Sequence, residues 1–329
     1  MSIKNSKKFS VASFFAGGGL FDLGFQEDFQ IIWANEINEW ASKSYQKNIG
    51  DHIVVGDINT LPIKAIPYAD VYIGGPPCTA YSTDGSNRGE FGESGRLVWS
   101  YQRIIAVKQP LAFIMENVIG MKQRHGDTLN GLIETYSKLG YNVALESLNA
   151  ADFSVAQNRK RIFLVGIRRD LGFTFQFPAP SYMRMTVQDA IGNLPAPFSL
   201  GTDFQIGIAN HVATWTSPSP SRIKELTISP NPRQWHGLRR LQWDKPSHTL
   251  VAHIAKDGRE FLHPSQDRRL TCRECLRLMG VEDSYIIPES IPLSHQYRLI
   301  GNGVSPVVAR ELAKALNQQL SQQRLLQIS

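Results

Sequence analysis

Residues 9–36 read FSVASFFAGGGLFDLGFQEDFQIIWANE. An apolar run, Phe9–Phe15, stops at three glycines, and a second apolar run, Phe29–Ala34, follows one short amphipathic stretch later. Glycines between a strand and a helix let the chain turn tightly and let another group approach the backbone. The same alternation continues downstream. His52–Val55, Asp70–Ile73 and Leu111–Glu116 are further candidate strands, and Ile37–Asn48, Leu97–Lys108 and Thr128–Leu139 carry helical patterns. Strands alternating with helices predict a doubly wound, mostly parallel α/β sheet. Tyr141–Leu148 and Arg161–Ile167 are joined without an obvious long helix and predict an antiparallel edge.

The residues with chemistry fall at the ends of these runs, where open α/β sheets bind ligands. Val71-Tyr72-Ile73 runs into Gly74-Gly75-Pro76-Pro77-Cys78, and prolines fix the backbone before a thiol. A lone cysteine is more commonly a small buried hydrophobe than a nucleophile, so its company decides. Leu111–Met115 ends in Glu116-Asn117-Val118, and Gln157-Asn158-Arg159-Lys160-Arg161 opens the run Ile162–Val165.

Around the glycine turn, Glu36 ends the second run, where a carboxylate can accept from ribose hydroxyls. Asp57 ends the third, where one can accept from an adenine amino group. A nicotinamide fingerprint needs a third glycine where Asp22 stands, which disfavours a dinucleotide and makes S-adenosylmethionine a natural alternative. A thiol, a carboxyl group and a guanidinium suit one reaction in particular. Carbon 5 of cytosine is a poor nucleophile until a thiolate adds to carbon 6. Cys78 would supply that thiolate, Glu116 would assist at ring nitrogen 3, and Arg161 or Arg159 at the carbonyl oxygen.

The 329 residues allow a large core plus a smaller unit, and apolar (42%) and charged (19%) contents are those of an ordinary folded chain. Net charge is +6, which permits a polyanionic partner without demanding one. Between residues 220 and 245, Arg222, Lys224, Arg233, Arg239, Arg240 and Lys245 face only Glu225 and Asp244. Prolines and tryptophans replace clear periodicity from about 178 to 265, predicting a small, loop-rich unit. Basic residues among Trp215, Trp235, Trp243 and His236 argue mildly for nucleic-acid contact there.

Three cysteines form no disulfide framework and fit a reducing compartment. Cys272 and Cys275 have zinc spacing but only His263 nearby as a further ligand, so a helix from Thr271 with Glu274 completing a capping box is the better reading, and no metal is expected. No membrane span and no signal-peptide core are present, so a cytoplasmic protein is expected.

With these residues on the page, the chain resembles a bacterial-type DNA (cytosine-5) methyltransferase. Phe15 to Gly19 with Asp22-Leu23-Gly24-Phe25 resembles that family's cofactor motif, Pro77-Cys78 its nucleophile motif and Glu116-Asn117-Val118 its base-binding motif. Gln157 to Arg161 matches the arginine motif, Arg269 to Glu274 the motif after the recognition region, and Gly301-Asn302-Gly303-Val304 the last cofactor motif. The resemblance implies a Rossmann-like methyltransferase domain over 1–178, a target-recognition domain over 179–265 and a return segment over 266–329.

It further implies that S-adenosylmethionine is held by Phe15, Ala16, Gly17, Gly19, Leu20, Glu36, Ile37, Asp57, Ile58, Pro77, Asn302 and Val304. A flexible loop over about 79–96 would help to hold a flipped-out cytosine. DNA contacts are expected from Ser82 and Arg96 in that loop and from Arg233, Arg239, Arg240 and Thr249 beyond it. The setting implied is a monomer acting on double-stranded DNA within a restriction–modification system, whose cognate endonuclease acts separately.

Thr79, Leu20 and Gly303 depart from the family pattern, where Gln, Gly and a small Ala or Ser are usual. The branch that methylates tRNA carries a Cys-Phe-Thr motif absent here. A catalytically silent DNA-binding regulator would have no use for the Cys78, Glu116 and Arg161 set.

Overall fold

The alternating runs build one seven-stranded sheet. The computed structural model describes residues 7–77, 93–181, 183–199, 207–213, 221, 239–252, 254 and 261–326. Strands β1 (Ser10–Phe14), β2 (Gln30–Glu36), β3 (Ile53–Val55), β4 (Val71–Gly74), β5 (Ala112–Val118), β6 (Tyr141–Asn149) and β7 (Lys160–Arg168) lie in the order β3-β2-β1-β4-β5-β7-β6. The first five pair in parallel. Strand order reverses between β1 and β4, the switch point beside which doubly wound sheets take their ligands. The expected antiparallel pair forms, with β7 lying inside β6. It therefore pairs antiparallel with β5 as well. That insertion places the Arg161 end of β7 against the Glu116 end of β5.

Helices α1 (Leu20–Phe25), α2 (Glu39–Asn48), α3 (Glu93–Lys108), α4 (Ile119–Arg124) and α5 (Gly126–Lys138) connect the strands. Beyond them come α6 (Val187–Ile191), α7 (Cys272–Leu278), α8 (Leu293–Asn302) and α9 (Pro306–Leu326). One sheet face is covered by Val98, Tyr101 and Ile105 of α3 with Leu129, Leu132 and Tyr136 of α5. On the other face Phe21, Phe25 and Phe29 meet Val308, Leu312, Leu316 and Leu320 of α9. Those last four recur every fourth residue, so they form a single stripe. Each leucine so buried contributes roughly 1.5–3 kcal/mol. The C-terminal helix thus completes a layer begun near the N-terminus.

A third core joins Val187, Ile191, Leu241 and Leu250 to Leu276, Met279 and Leu299. Around it the described chain is largely irregular, with two-residue strands β8 (Phe198–Ser199), β9 (Val212–Ala213), β10 (Arg239–Arg240) and β11 (Phe261–Leu262). Helix α7 starts as its sequence predicts, with Thr271 and Glu274 in a reciprocal capping box. Burial pushes the Cys272 thiol up to about 12. Among the described residues no helix is long and apolar enough to cross a membrane.

Asp22 is fully buried beneath the glycine turn, where its two oxygens accept from the Ser13 hydroxyl (2.9 Å) and the Tyr45 phenol (2.9 Å). Burial raises its pKa to about 6 from 3.8, against the pull of those hydrogen bonds. A carboxyl group raised in the folded state stabilises the fold fully below its unfolded pKa. The contribution is lost as pH rises through the folded value. About two pKa units correspond to ~3 kcal/mol. Urea unfolding at pH 4 and pH 7 should therefore show the wild type losing about that much more stability than Asp22→Asn over this interval. Parallel profiles for the two proteins would exclude a raised Asp22.

Candidate active site

Where β1 ends, Phe15 takes a left-handed backbone (φ 54°), as do Gly17 (57°) and Gly19 (83°). A bulky residue there is strained and needs its surroundings to hold it. They do so through backbone bonds from Ala16 N–H to Asn35 O (3.0 Å) and Gly19 N–H to Ala16 O (2.9 Å). At the end of β2, Glu36 spans the turn. Its Oε2 accepts from Gly17 N–H (2.9 Å) and its Oε1 from Asn38 N–H (2.8 Å). Burial raises its pKa and these N–H groups oppose the rise. Asp57 accepts from the backbone and side chain of Asn59 (2.9 and 3.1 Å). Ile37 is 65% exposed, and Ile58 is buried.

These groups line one end of a cavity of about 270 Å³. Phe15, Ala16, Gly17, Leu20, Glu36, Ile37, Asp57, Ile58, Pro77, Asn302 and Val304 all border it. Gly19 caps α1 just behind, with Ile49 2.5 Å from where its Cβ would be. Sequence reasoning missed His295, Arg298 and Leu299 of α8, which border the cavity too. The only signal for them was their place just before the Gly301-Asn302-Gly303-Val304 motif.

At the other end lie Pro77, Glu116 and Arg161. In the antiparallel register Glu116 faces Phe163 and Val118 faces Arg161, so Glu116 and Arg161 are diagonal neighbours on one face. Arg161 Nε sits 3.0 Å from Glu116 Oε1. Burial raises the Glu116 pKa, and the Arg161 and then Arg159 charges pull it back. Asn117 points the other way, donating from Nδ2 to Pro76 O (3.4 Å), which ties the β5 end to the proline turn. Gly75 passes close by, since a Cβ there would lie 3.3 Å from Glu116 Oε2. Cys78, the expected nucleophile, lies outside the described residues, as do Thr79, Ser82, Arg222, Lys224, Arg233, Trp235 and His236.

Three of the expected site residues are engaged within the chain. Arg159 is buried and does not border the cavity. Its guanidinium donates to Leu250 O (2.9 Å), Gly301 O (2.8 Å) and Gly303 O (2.8 Å), so it holds the neighbouring segments and leaves Arg161 as the guanidinium at the site. Arg240 donates to His263 O (2.9 Å) and Gln266 O (3.0 Å) and pairs with Asp267, which commits it to the 263–267 turn, whereas Arg239 is exposed. The Thr249 hydroxyl donates to Asn158 O (2.6 Å), docking its segment on the arginine motif. Arg96 is exposed on α3.

The Leu20 and Gly303 departures form a single feature. A Cβ on Gly303 would lie 2.5 Å from Leu20 Cδ1, so the leucine fills the space that a small side chain at 303 would take. Leu20 is buried. Gly303→Ala should cost ~1–3 kcal/mol by overpacking, and distinctly less in a Leu20→Ala background. Urea denaturation of the four proteins measures the coupling. Additive costs would mean the two positions are independent.

The profile of the family described as C-5 cytosine-specific DNA methylase matches residues 9–318. The chain is 34% identical to the type II methyltransferase M.MthTI of Methanothermobacter thermautotrophicus, over 94% of this chain and 97% of that one. It is 32% identical to type II methyltransferase M.FnuDI of Fusobacterium nucleatum, over 94% and 95%. Its fold is similar to that of the Entamoeba histolytica methyltransferase EhMeth, at TM-score 0.74 and 16% identity over 96% and 99% of the two chains. A family match over nearly the whole length, on a sheet whose switch point carries the glycine turn beside Glu116 and Arg161, shows that the chain belongs to the C-5 cytosine-specific DNA methylases and is a DNA cytosine-5 methyltransferase.

Proposed function

We propose that the chain methylates carbon 5 of a cytosine flipped out of one specific duplex sequence, through a covalent bond from Cys78 to carbon 6. The observation that carries this reading is one cavity bordered at one end by the glycine turn, Glu36 and Asp57, and at the other by Pro77, Glu116 and Arg161. S-adenosylmethionine is the methyl donor of this family, and the residues suit it. A Cβ on Gly17 would project into open space, which leaves a cradle beside the Glu36 and Asp57 carboxylates, and exposed Ile37 offers an apolar face to an adenine. When bound, this cofactor supplies an electrophilic methyl group on a sulfonium.

The protein's task is to make carbon 5 nucleophilic. The Cys78 thiolate adds to carbon 6, and its electron pair pushes ring density onto carbon 5. Glu116, protonated readily because burial raises its pKa, gives a proton to ring nitrogen 3. Arg161 donates to the carbonyl oxygen and balances the developing charge. After transfer, ring nitrogen 3 returns its proton to Glu116, and loss of the carbon-5 proton to water restores the double bond and expels the thiolate. Residues 179–265 act as the target-recognition domain, 1–178 and 266–329 as the catalytic domain. The protein works as a cytoplasmic monomer with a separately acting cognate endonuclease.

A duplex bearing 5-fluorocytosine at the target blocks the proton-loss step, so wild type should form a denaturation-resistant adduct and Cys78→Ala none. Turnover by that variant would sink the assignment. Glu116→Gln should lower kcat by ~10²–10⁴-fold. Because the protonated acid is the working form, wild-type kcat/KM should fall as pH rises through the raised Glu116 pKa, and the variant should lose that limb. Glu36→Ala should weaken S-adenosylmethionine binding by ~1–3 kcal/mol in calorimetry. In methylation-site sequencing Arg239→Ala should relax one base position, worth ~1–3 kcal/mol of discrimination, while Arg240→Ala should lower stability and keep the sequence read.

A further inference from the structure

The glycine turn is pressed against the return segment with no free space. A Cβ on Gly18 would lie 2.7 Å from both Leu299 Cδ2 and the Tyr285 hydroxyl oxygen. Tyr285, between α7 and α8, is fully buried and donates from its phenol to Gly18 O (2.8 Å). With that proton committed, the Ser44 hydroxyl of α2 donates to the phenol oxygen at 2.9 Å. The next residue is pinned as well, because Ile286 N–H donates to Asn48 Oδ1 (2.8 Å) and Asn48 Nδ2 donates to Ile286 O (2.9 Å).

The backbone of Tyr285 is held from the opposite side. Arg273, with no exposed surface, donates from its fork to Tyr285 O (2.8 Å) and from Nε to Ala209 O (2.9 Å). Asn210 and Ile287 exchange hydrogen bonds in both directions, 2.8 and 2.9 Å. Residues 209–210, Arg273, Tyr285 and Gly18 therefore stand in one hydrogen-bonded series. Tyr285 itself does not border the cavity, yet it fixes the carbonyl between the two glycines, Gly17 and Gly19, that shape it.

We propose that Tyr285 is a positioning residue for methyl transfer: its phenol holds Gly18 O and thereby sets the glycine turn in the form that receives the adenosine cofactor. The proposal rests on the reading that this cavity takes S-adenosylmethionine. A hydrogen bond to a carbonyl that carries a whole turn acts on binding of the cofactor, not on the cytosine end of the site. Tyr285→Phe keeps shape and apolar contacts and deletes the phenol's bonds to Gly18 O and to the Ser44 hydroxyl.

The test uses the full chain in three variants, with S-adenosylmethionine as the calorimetric probe. Tyr285→Phe should raise its Kd, and the KM for it, by ~3–10-fold, as loss of the net hydrogen bond to Gly18 O implies. The kcat at saturating cofactor should stay within about twofold of wild type. Tyr141→Phe is the control. It also deletes one buried phenol-to-carbonyl bond, to Pro110 O (2.9 Å), at the opposite end of the sheet, and should leave Kd unchanged. Equal weakening in both variants would mean general loosening and overturn the proposal. So would unchanged affinity in Tyr285→Phe beside weakened binding in Glu36→Ala. Unchanged affinity in both of those would bring down the cavity reading and this proposal with it.

Discussion

A guanidinium taken out of water must donate its N–H groups to something, because leaving them unpaired costs several kcal/mol. Two arginines impose this constraint here, and distant parts of the chain are joined by how they meet it. Arg159 sits at the mouth of β7 and draws in the carbonyls of Leu250, Gly301 and Gly303. Arg273 draws in those of Ala209 and Tyr285. Backbone carbonyls suit the purpose, since they accept without adding a second buried charge. Between them the two forks fasten the irregular middle of the chain and the return segment onto the sheet.

The same logic separates two arginines that look alike in sequence. Arg159 and Arg161 differ by one strand period, which would place them on the same face, but Arg159 precedes the first residue of β7. The chain there bends toward Ser247 through the Gln157 bridge, and Arg159 follows it into the interior. Arg161 is within the ladder and is aimed across it at Glu116. A buried carboxyl with cationic neighbours is poised to hold or release a proton, and such environments concentrate at working sites.

The glycine turn shows how a binding loop is made rigid without filling it. Its carbonyls and N–H groups are taken up by Asn35 and Glu36 along the cavity wall and by Tyr285 behind it. The space in front, by Gly17, stays open. Asp22, Ser13 and Tyr45 make a polar layer beneath, with His52 at 3.0 Å from the Tyr45 oxygen. Preorganisation of this kind lowers the ordering cost of binding.

Local pattern by itself determined the strands β1 to β5, the helices between them, the capping box at Thr271 and the motif residues at strand ends. Each of these follows from interactions within a few residues: alternation of apolar runs, glycines after a strand, a hydroxyl three residues before a glutamate. The placement of the glycine turn and of Glu116 at strand ends was legible for that reason. What tertiary structure decided was where long side chains with several possible partners would point. Arg159, Arg240 and Thr249 carry donors that sequence cannot assign, and they found carbonyls from segments 23 to 144 residues away. The insertion of β7 between β5 and β6, the pairing of Leu20 with Gly303 and the role of Tyr285 likewise depend on contacts between residues far apart in the chain. Such contacts are chosen by burial and packing, which no local pattern records.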